Sequence, residues 1–321
     1  MSPGATIVAL LHEGTWGIAA QVLTLSASLL PIVFGRSDQL VIVVSSSAIA
    51  TSCVPLFTLA SQFRVPSMTS VDEAFRATAA GILTAVIGSL VLLALVAYSY
   101  SLGGIASPWD LAVATALLAL SQSVFMLALS ALTWRLAARP VLIVRLAYGI
   151  SLFAGTLPAA ALDWPAITYL HITTVAMALA STLALVAGRV TRSRLRTLLA
   201  TLSGRDLIRE YRALPQALTT FVGSLGAQIA SIATPSLGGL AGAWAIAMRL
   251  QGGFLTLGSQ TIGSMVDVRI ARAVRRADSA AAAAAVRRAR DVGTLLGFVY
   301  LAAAFVAVAF TSINGRLTVG N

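Results

Sequence analysis

The stretch TAAGILTAVIGSLVLLALVAY, residues Thr78–Tyr98, decides the fold class because it carries no charged side chain along its whole length. The hydrocarbon core of a bilayer is about 30 Å thick, and a helix crosses it with roughly 20 apolar residues. An isolated strand would leave its backbone polar groups unpaired in lipid, so a stretch of this kind crosses as a helix. The sequence therefore predicts a transmembrane helix here.

Eight further windows share this apolar character, and aromatic residues such as Trp109 and Trp164 lie near their ends, as at membrane interfaces. Only 10% of the residues are charged and 58% are hydrophobic, whereas a soluble domain carries about 25% charged residues. We therefore predict an all-α, polytopic membrane protein of about nine transmembrane helices, and an ordinary soluble enzyme is excluded. The other windows are Thr15–Phe34, Leu40–Ala60, Trp109–Leu129, Val141–Leu162, Ala166–Val186, Pro215–Ala233, Leu237–Leu257 and Val292–Phe310.

The net charge of +11 comes from 22 basic residues, all of them arginine, against 11 acidic ones. Most of these arginines follow the second, fourth, sixth and eighth windows, at positions 64–76, 135–139, 189–212 and 269–290. Arginine-rich loops stay on the cytoplasmic side of a membrane. The charge thus predicts a protein of the cytoplasmic membrane with a cytoplasmic N-terminus, and we expect no nucleic-acid partner. The first window lacks a preceding basic region, so we expect an uncleaved first helix.

The longest polar break between the early windows divides the chain into three parts. We predict a six-helix N-terminal lobe over residues 1–188, a basic cytoplasmic linker over 189–213, and an incomplete C-terminal lobe of three helices over 214–321. The last three windows repeat the pattern of the first three, since in each case a helical hairpin precedes a longer polar segment. Parallel repeats of this kind recur in transporters, with the substrate site between the halves.

Arg249 is the strongest candidate for a binding residue because it lies about halfway along the Leu237–Leu257 window. A centred arginine costs roughly 2.5–3.5 kcal/mol on insertion scales and usually faces a wet cavity or a partner. Its planar guanidinium matches phosphate oxygens, so an anionic headgroup is the expected ligand. The alternative is that the helix ends near Met248 and Arg249 lies at the interface.

Arg145 and three glutamines complete the predicted substrate-binding set, each with a structural alternative. Arg145 is either a second positive point at the cavity mouth or a side chain that extends to the interface. Gln21, Gln122 and Gln228 lie inside the first, fourth and seventh windows. Their amides either pair with sugar hydroxyls or form hydrogen bonds between helices.

Enzymatic motifs are missing from the sequence. A phosphate-binding loop of the Gly-x-x-x-x-Gly-Lys type needs a lysine, and the chain has none. Cys53, His12 and His171 are too few and too widely separated for a metal site. We therefore expect no catalytic residues, no metal and no cofactor.

Three segments resemble the polysaccharide-biosynthesis (Wzx-like) flippases of the multidrug/oligosaccharidyl-lipid/polysaccharide (MOP) exporter superfamily. The first is FRVPSMTSVDEAFRA at residues 63–77, which contains an apolar–proline run and an acid-acid-Ala step. The second extends from Gln122 to Arg145 and includes ALTWRLAARP at 131–140, and the third, Leu214–Ile262, includes GGLAGAWAIAMRL at 238–250. The resemblance spans most of residues 14–310.

The resemblance implies a V-shaped pair of helical lobes around a central cavity. It further implies a flippase that moves a lipid-linked oligosaccharide, typically on a polyprenyl diphosphate carrier, with Arg249 and Arg145 holding the diphosphate. Membrane lipids and polysaccharide-assembly proteins would be the other partners. Such flippases have two lobes of six helices, so three helices are expected to be missing here. The alternatives are a cation-coupled multidrug exporter of the same superfamily, or a truncated, non-transporting partner of a polysaccharide-biosynthesis complex.

Overall fold

Helices make up the regular secondary structure of the computed structural model, which describes residues 3–102, 107–135, 138–188, 203–249 and 268–287 together with positions 290, 291, 294 and 298. Within those ranges the chain contains no strand. The predicted all-α class is therefore confirmed.

Nine helices have complete bounds, and each of the first seven windows corresponds to one of the long ones. Two 3₁₀ helices lie at Val65–Ser67 and Thr234–Leu240. The backbone is also helical at 241–249, 268–275 and 279–287. The helices are α1 (Pro3–Val33), α2 (Ser37–Phe57), α3 (Ser61–Arg64), α4 (Val71–Leu102), α5 (Pro108–Trp134), α6 (Ala138–Ala161), α7 (Ala166–Ala187), α8 (Gly204–Tyr211) and α9 (Leu214–Ile232).

Six helical stretches among the described residues are long and apolar enough to cross a membrane, and Ala19–Val33 of α1 adds a shorter apolar helix. The eighth window is described only as far as Arg249. The ninth lies outside the described residues except for positions 294 and 298. The molecule is thus a polytopic membrane protein, and nine is an approximate helix count. The six stretches are Gln39–Phe57, Val71–Leu102, Pro108–Trp134, Arg139–Ala161, Ala166–Ala187 and Leu214–Arg249.

The chain reverses direction within the last of these stretches. The indole Nε1–H of Trp244 donates a hydrogen bond to the carbonyl oxygen of Ala230 at 3.0 Å. Fourteen residues of continuous helix would separate these positions by about 21 Å, so the two arms must be antiparallel. The reversal occurs in Thr234–Leu240, where Gly238 has a φ of 54°. The predicted connection at Thr234–Ser236 is confirmed, and the turn is longer than predicted.

Helix α5 lies at the centre of the packing and contacts α2, α4 and α7, while α1 lies along α6 and α9 lies along α2. Alanines such as Ala112, Ala114 and Ala119 are fully buried in this core. Small residues let helix backbones approach closely, which is a main source of helix association in membranes. The hydroxyl of Ser45 on α2 also donates to the carbonyl oxygen of Ile232 on α9 at 3.1 Å.

Polar contacts join the turns at one end of this bundle. Arg36, in the turn between α1 and α2, forms an ion pair with Asp163, in the turn between α6 and α7, at 2.9 Å from Nε to Oδ1. Gln39 donates a hydrogen bond to the same carboxylate oxygen at 3.1 Å. We call this the Arg36 end.

The opposite end, which we call the basic end, carries the arginines of the predicted cytoplasmic loops. There α8 is held by Arg64, whose Nη2 lies 3.3 Å from Oε2 of Glu210, and by Arg76, whose Nη1 lies 3.6 Å from Oδ1 of Asp206. Side-chain and backbone hydrogen bonds from Ser203 lower the pKa of Asp206, and Arg76 adds to the effect. The arginine groups thus share one end, while its orientation toward the cytoplasm stays a prediction.

The 268–275 helix is attached to the same end through Arg275. Its Nη2 donates to the carbonyl oxygen of Pro66 at 2.6 Å, and its guanidinium carbon lies 4.8 Å from the ring centroid of Trp134. The Trp134 indole in turn donates to the carbonyl oxygen of Met68 at 2.8 Å. One arginine therefore joins the late part of the chain to the 3₁₀ segment Val65–Ser67 and to the end of α5.

Candidate membrane-embedded site

Arg249 extends from the second arm of the hairpin into the interior of the protein. One turn earlier, Ala245 is fully buried against Leu40 and Val44 of α2. The Nε atom of Arg249 is buried, and no described residue forms a hydrogen bond with it. A buried guanidinium donor without a partner is costly in an apolar setting, so the position is suited to an anionic ligand or to water.

Tyr148 of α6 lies within range of an electrostatic interaction with Arg249. The ring of Tyr148 also packs on Phe125 of α5, with ring centroids 5.5 Å apart. Both aromatic residues belong to the main hydrophobic core. The charge of Arg249 therefore approaches an aromatic wall contributed by α5 and α6.

Arg145 lies one helical turn before Tyr148 on α6 and is half-buried. Residues three apart on a helix share a face, so Arg145 and Tyr148 present their side chains to the same side of α6. Arg145 thus lies one helical turn from the tyrosine with which Arg249 interacts. Whether either arginine binds a substrate stays a prediction.

Gln122 lies on α5 one turn before Phe125 and forms hydrogen bonds with Thr51 of α2. Its Nε2 donates to the threonine hydroxyl at 3.0 Å, and that hydroxyl donates to its Oε1 at 3.3 Å in the alternative arrangement. This contact is what the helix-packing alternative requires. A role for the amide in sugar binding would need that pair to open, and it stays a prediction.

Gln21 and Gln228 occupy different environments. Gln21 is buried on α1 and follows Ala20, whose carbonyl oxygen lies 2.7 Å from where a Cβ on Gly149 of α6 would be. Gln21 is therefore the next residue in α1 after a point where α1 and α6 approach each other closely. Gln228 is half-buried on α9, and the contacts of the described residues do not join it to the other four candidates.

Two residues that sequence reasoning missed, Tyr148 and Thr51, complete this cluster. Tyr148 could have been selected from the sequence, because it follows Arg145 by three positions on a predicted helix. Thr51 could not, since its pairing with Gln122 depends on how α2 and α5 meet. The cluster combines a buried guanidinium, a phenol hydroxyl and amide groups. Chemically it can bind phosphate oxygens at Arg249 and hydroxyl groups nearby.

The described acidic residues and this site occupy different parts of the protein. Among the described side chains, the carboxylates lie in first helical turns, in connecting turns or in the helices of the basic end. Asp72 and Glu73 begin α4, Asp110 begins α5, and Asp163 pairs with Arg36. No carboxylate among the described side chains is found to interact with Arg249.

The helices and the buried cationic cluster define a class: a polytopic, all-α membrane protein with a charged group held between packed helices. Its fold is similar to that of a solved MOP superfamily transporter from Pyrococcus furiosus, with a TM-score of 0.62 and 14% sequence identity. The match covers 94% of this chain and 72% of that transporter. The similarity establishes a MOP-transporter-like fold. No protein-family model matches the sequence, and no curated protein matches it significantly.

Proposed function

We propose that the chain is a membrane transporter that translocates a lipid-linked oligosaccharide or polysaccharide precursor across the cytoplasmic membrane. The observation that carries the proposal is the buried Nε of Arg249, which forms no hydrogen bond with a described residue, in a guanidinium within electrostatic range of Tyr148. The MOP-like fold supports it, because transporters with internal repeats bind substrate between their helical halves. The Wzx-like segments at 63–77, 122–145 and 214–262 support the polysaccharide assignment.

In this proposal Arg249 binds the diphosphate of a polyprenyl carrier. A hydrogen bond to a charged group contributes about 1.5–3 kcal/mol, and the forked guanidinium can supply two of them. Arg145 offers a second cation one turn from Tyr148, and Gln21, Gln122 and Gln228 offer amides for glycan hydroxyls. The N-terminus and the basic end face the cytoplasm, where the lipid-linked precursor is made available.

A cation-coupled exporter is the rival within the same superfamily. Coupling to a proton or sodium ion calls for an ionisable acid within the membrane, and the carboxylates among the described side chains lie in first helical turns, in connecting turns or in the helices of the basic end. This arrangement favours an anionic substrate over a coupling cation at the site.

The experiment is genetic and uses cells that carry this gene. Deletion is expected to cause polyprenyl-linked saccharide to accumulate on the cytoplasmic leaflet, measured by enzymatic accessibility of the glycan in right-side-out and inverted vesicles. A plasmid copy should restore transport. Arg249→Gln should restore less than about a tenth of it, since one bidentate contact of roughly 1.5 kcal/mol or more is lost.

Arg135→Gln is the matched control, because Arg135 is exposed at the end of α5 and outside the site. Arg249→Lys keeps the charge without the fork and should give an intermediate level. Expression of each variant is measured in the same membranes. The proposal fails if deletion leaves the distribution of the lipid-linked saccharide unchanged, and the site assignment fails if Arg249→Gln restores transport as well as Arg135→Gln.

A further inference from the structure

A cavity of about 310 Å³ lies at the basic end, between the 268–275 and 279–287 helices, and Arg249 is not among its lining residues. Pockets that bind small ligands begin at about 300 Å³. Arginines on one helix and alanines on the other form most of its walls. The lining comprises Arg269, Arg272, Ala273, Arg276, Asp278, Ala281, Ala284 and Ala285.

Helical spacing places the three arginines on one wall. Arg269, Arg272 and Arg276 are separated by three and four residues, so they follow one face of the helix and its C-terminal turn. The opposite wall is made of small side chains, which leaves room between the helices for a ligand rather than filling it. The site is thus a cleft with three guanidinium groups on one side.

The positive charge of the cleft lacks compensation among the described residues. The described residues form four ion pairs, and none of these includes Arg269, Arg272 or Arg276. The one acidic side chain in the cleft, Asp278, is engaged in capping: its Oδ1 accepts a hydrogen bond from the backbone N–H of Ala281 at 2.9 Å. Like charges at helical spacing repel each other, so an anion in the cleft would remove an existing electrostatic penalty.

The tight turn between the two helices fixes the shape of the cleft. Ala277 has a φ of 52°, and the backbone N–H of Asp278 donates to the carbonyl oxygen of Ala273 at 3.0 Å. The first helix is itself anchored on Pro66 and Trp134 through Arg275. The arginines therefore lie on a helix that is anchored to the rest of the protein.

We infer that this cleft binds the phosphate group of an anionic ligand, with the headgroup of an anionic membrane lipid as the source that fits best. Guanidinium forks match phosphate oxygens in geometry and charge. Val274 and Val286, on the two helices that form the cleft, are exposed, and apolar side chains beside a basic surface favour the membrane interface. The inference is independent of transport and of Arg249.

The test uses the full-length protein purified in neutral detergent. Binding of short-chain phosphatidylglycerol, phosphatidylcholine and inorganic pyrophosphate is measured by native mass spectrometry. The wild-type protein should bind phosphatidylglycerol saturably and in preference to phosphatidylcholine. Each arginine replaced by glutamine at 269, 272 or 276 should weaken binding about tenfold, as expected for loss of one charge-assisted contact.

A charge-matched control distinguishes the cleft from general basicity. The triple variant Arg205→Gln, Arg209→Gln and Arg212→Gln removes the same charge from exposed positions at the same end, and it should bind like wild type. Competition by pyrophosphate would show that the phosphate group itself is recognised, whereas binding of lipid alone would show that the headgroup is required.

Two results would overturn the inference: equal weakening of binding by the control triple and by a cleft triple that carries Arg269→Gln, Arg272→Gln and Arg276→Gln, or no saturable binding of either phosphate-bearing probe. Thermal unfolding of every variant is measured in parallel. If the cleft triple does not fold, lipid binding by the single Arg272→Gln variant is compared with binding by the single Arg209→Gln variant instead.

Discussion

Leu59 and Ala60 are consecutive residues in the left-handed backbone conformation, with φ of 50° and 53°, at the point where α2 ends and α3 begins. Both side chains are buried. This conformation costs an L-amino acid roughly 1–2 kcal/mol, so the surrounding packing must sustain it. The reversal delivers Val65 to a buried position against Ala74, beside Trp134.

This strain predicts opposite effects for one substitution at two alanines of the same region. Ala60→Gly should leave the free energy of unfolding unchanged or raise it by up to about 1 kcal/mol, because glycine adopts positive φ without a penalty. Ala50→Gly, equally buried but inside α2, should lower it by about 0.5–1 kcal/mol. Reversible unfolding of both variants in detergent measures the difference, and equal destabilisation would contradict the strain.

The sequence could predict the candidate site at the level of single residues only in part. Arg249 stands out as a charge in an apolar window, and no tertiary information is needed to notice it. Tyr148 becomes relevant only because the fold brings it within electrostatic range of Arg249, which is about 100 residues later in the chain. Gln122 shows the converse, since its amide was a reasonable candidate and the structure pairs it with Thr51.

At the scale of elements, glycines differ according to what their helix meets. A Cβ on Gly149 of α6 would lie 2.7 Å from the carbonyl oxygen of Ala20 on α1, whereas a Cβ on Gly223 of α9 would have nothing within 4 Å. Both glycines lie inside apolar helical windows, and the sequence around them does not separate the two cases. Helix existence was therefore predictable from apolar length, and helix contact was not.

This contrast makes a matched prediction. Gly149→Ala should destabilise the protein by about 1–3 kcal/mol, since the α1 backbone must move to accept the methyl group. Gly223→Ala should stabilise it by about 0.4–1 kcal/mol, because alanine restricts the unfolded chain and has free space in the folded one. Thermal unfolding of the two variants decides the matter, and similar effects of the same sign would contradict the packing of α1 on α6.

Arg275 provides the element-scale prediction for the basic end. Arg275→Gln should release the 268–275 helix from Pro66 and Trp134 and lower stability by about 1–2 kcal/mol, the range of a partly desolvated cation–π contact with a hydrogen bond. Hydrogen exchange of the 268–275 backbone should rise. Arg272→Gln, on the exposed side of the same helix, should leave exchange unchanged, and equal exchange in both variants would refute the anchoring role.

At the scale of the whole molecule, charges are sorted between two ends and one interior site. Arg36 and Asp163 pair at one end, and Arg64 and Arg275 form contacts at the other. The arginine pattern of the sequence predicted that its basic loops share an end because loops after alternate helices must return to the same side. The all-α class followed from the apolar windows, and the first seven of the nine predicted helices correspond to helices of the structure. The packing of the two predicted lobes could not be predicted from the windows, because it depends on contacts between residues far apart in the chain.

The central claim is that this MOP-like fold uses Arg249 to move a diphosphate-linked saccharide lipid. Its most direct test is translocation of a fluorescent polyprenyl-diphosphate disaccharide in proteoliposomes, followed by quenching of the label from outside. We predict that the wild-type protein accelerates translocation over protein-free liposomes, and that Arg249→Gln loses at least about tenfold of that acceleration while Arg135→Gln keeps it. Wild-type translocation no faster than in protein-free liposomes, or full activity of the Arg249→Gln variant, would contradict the account.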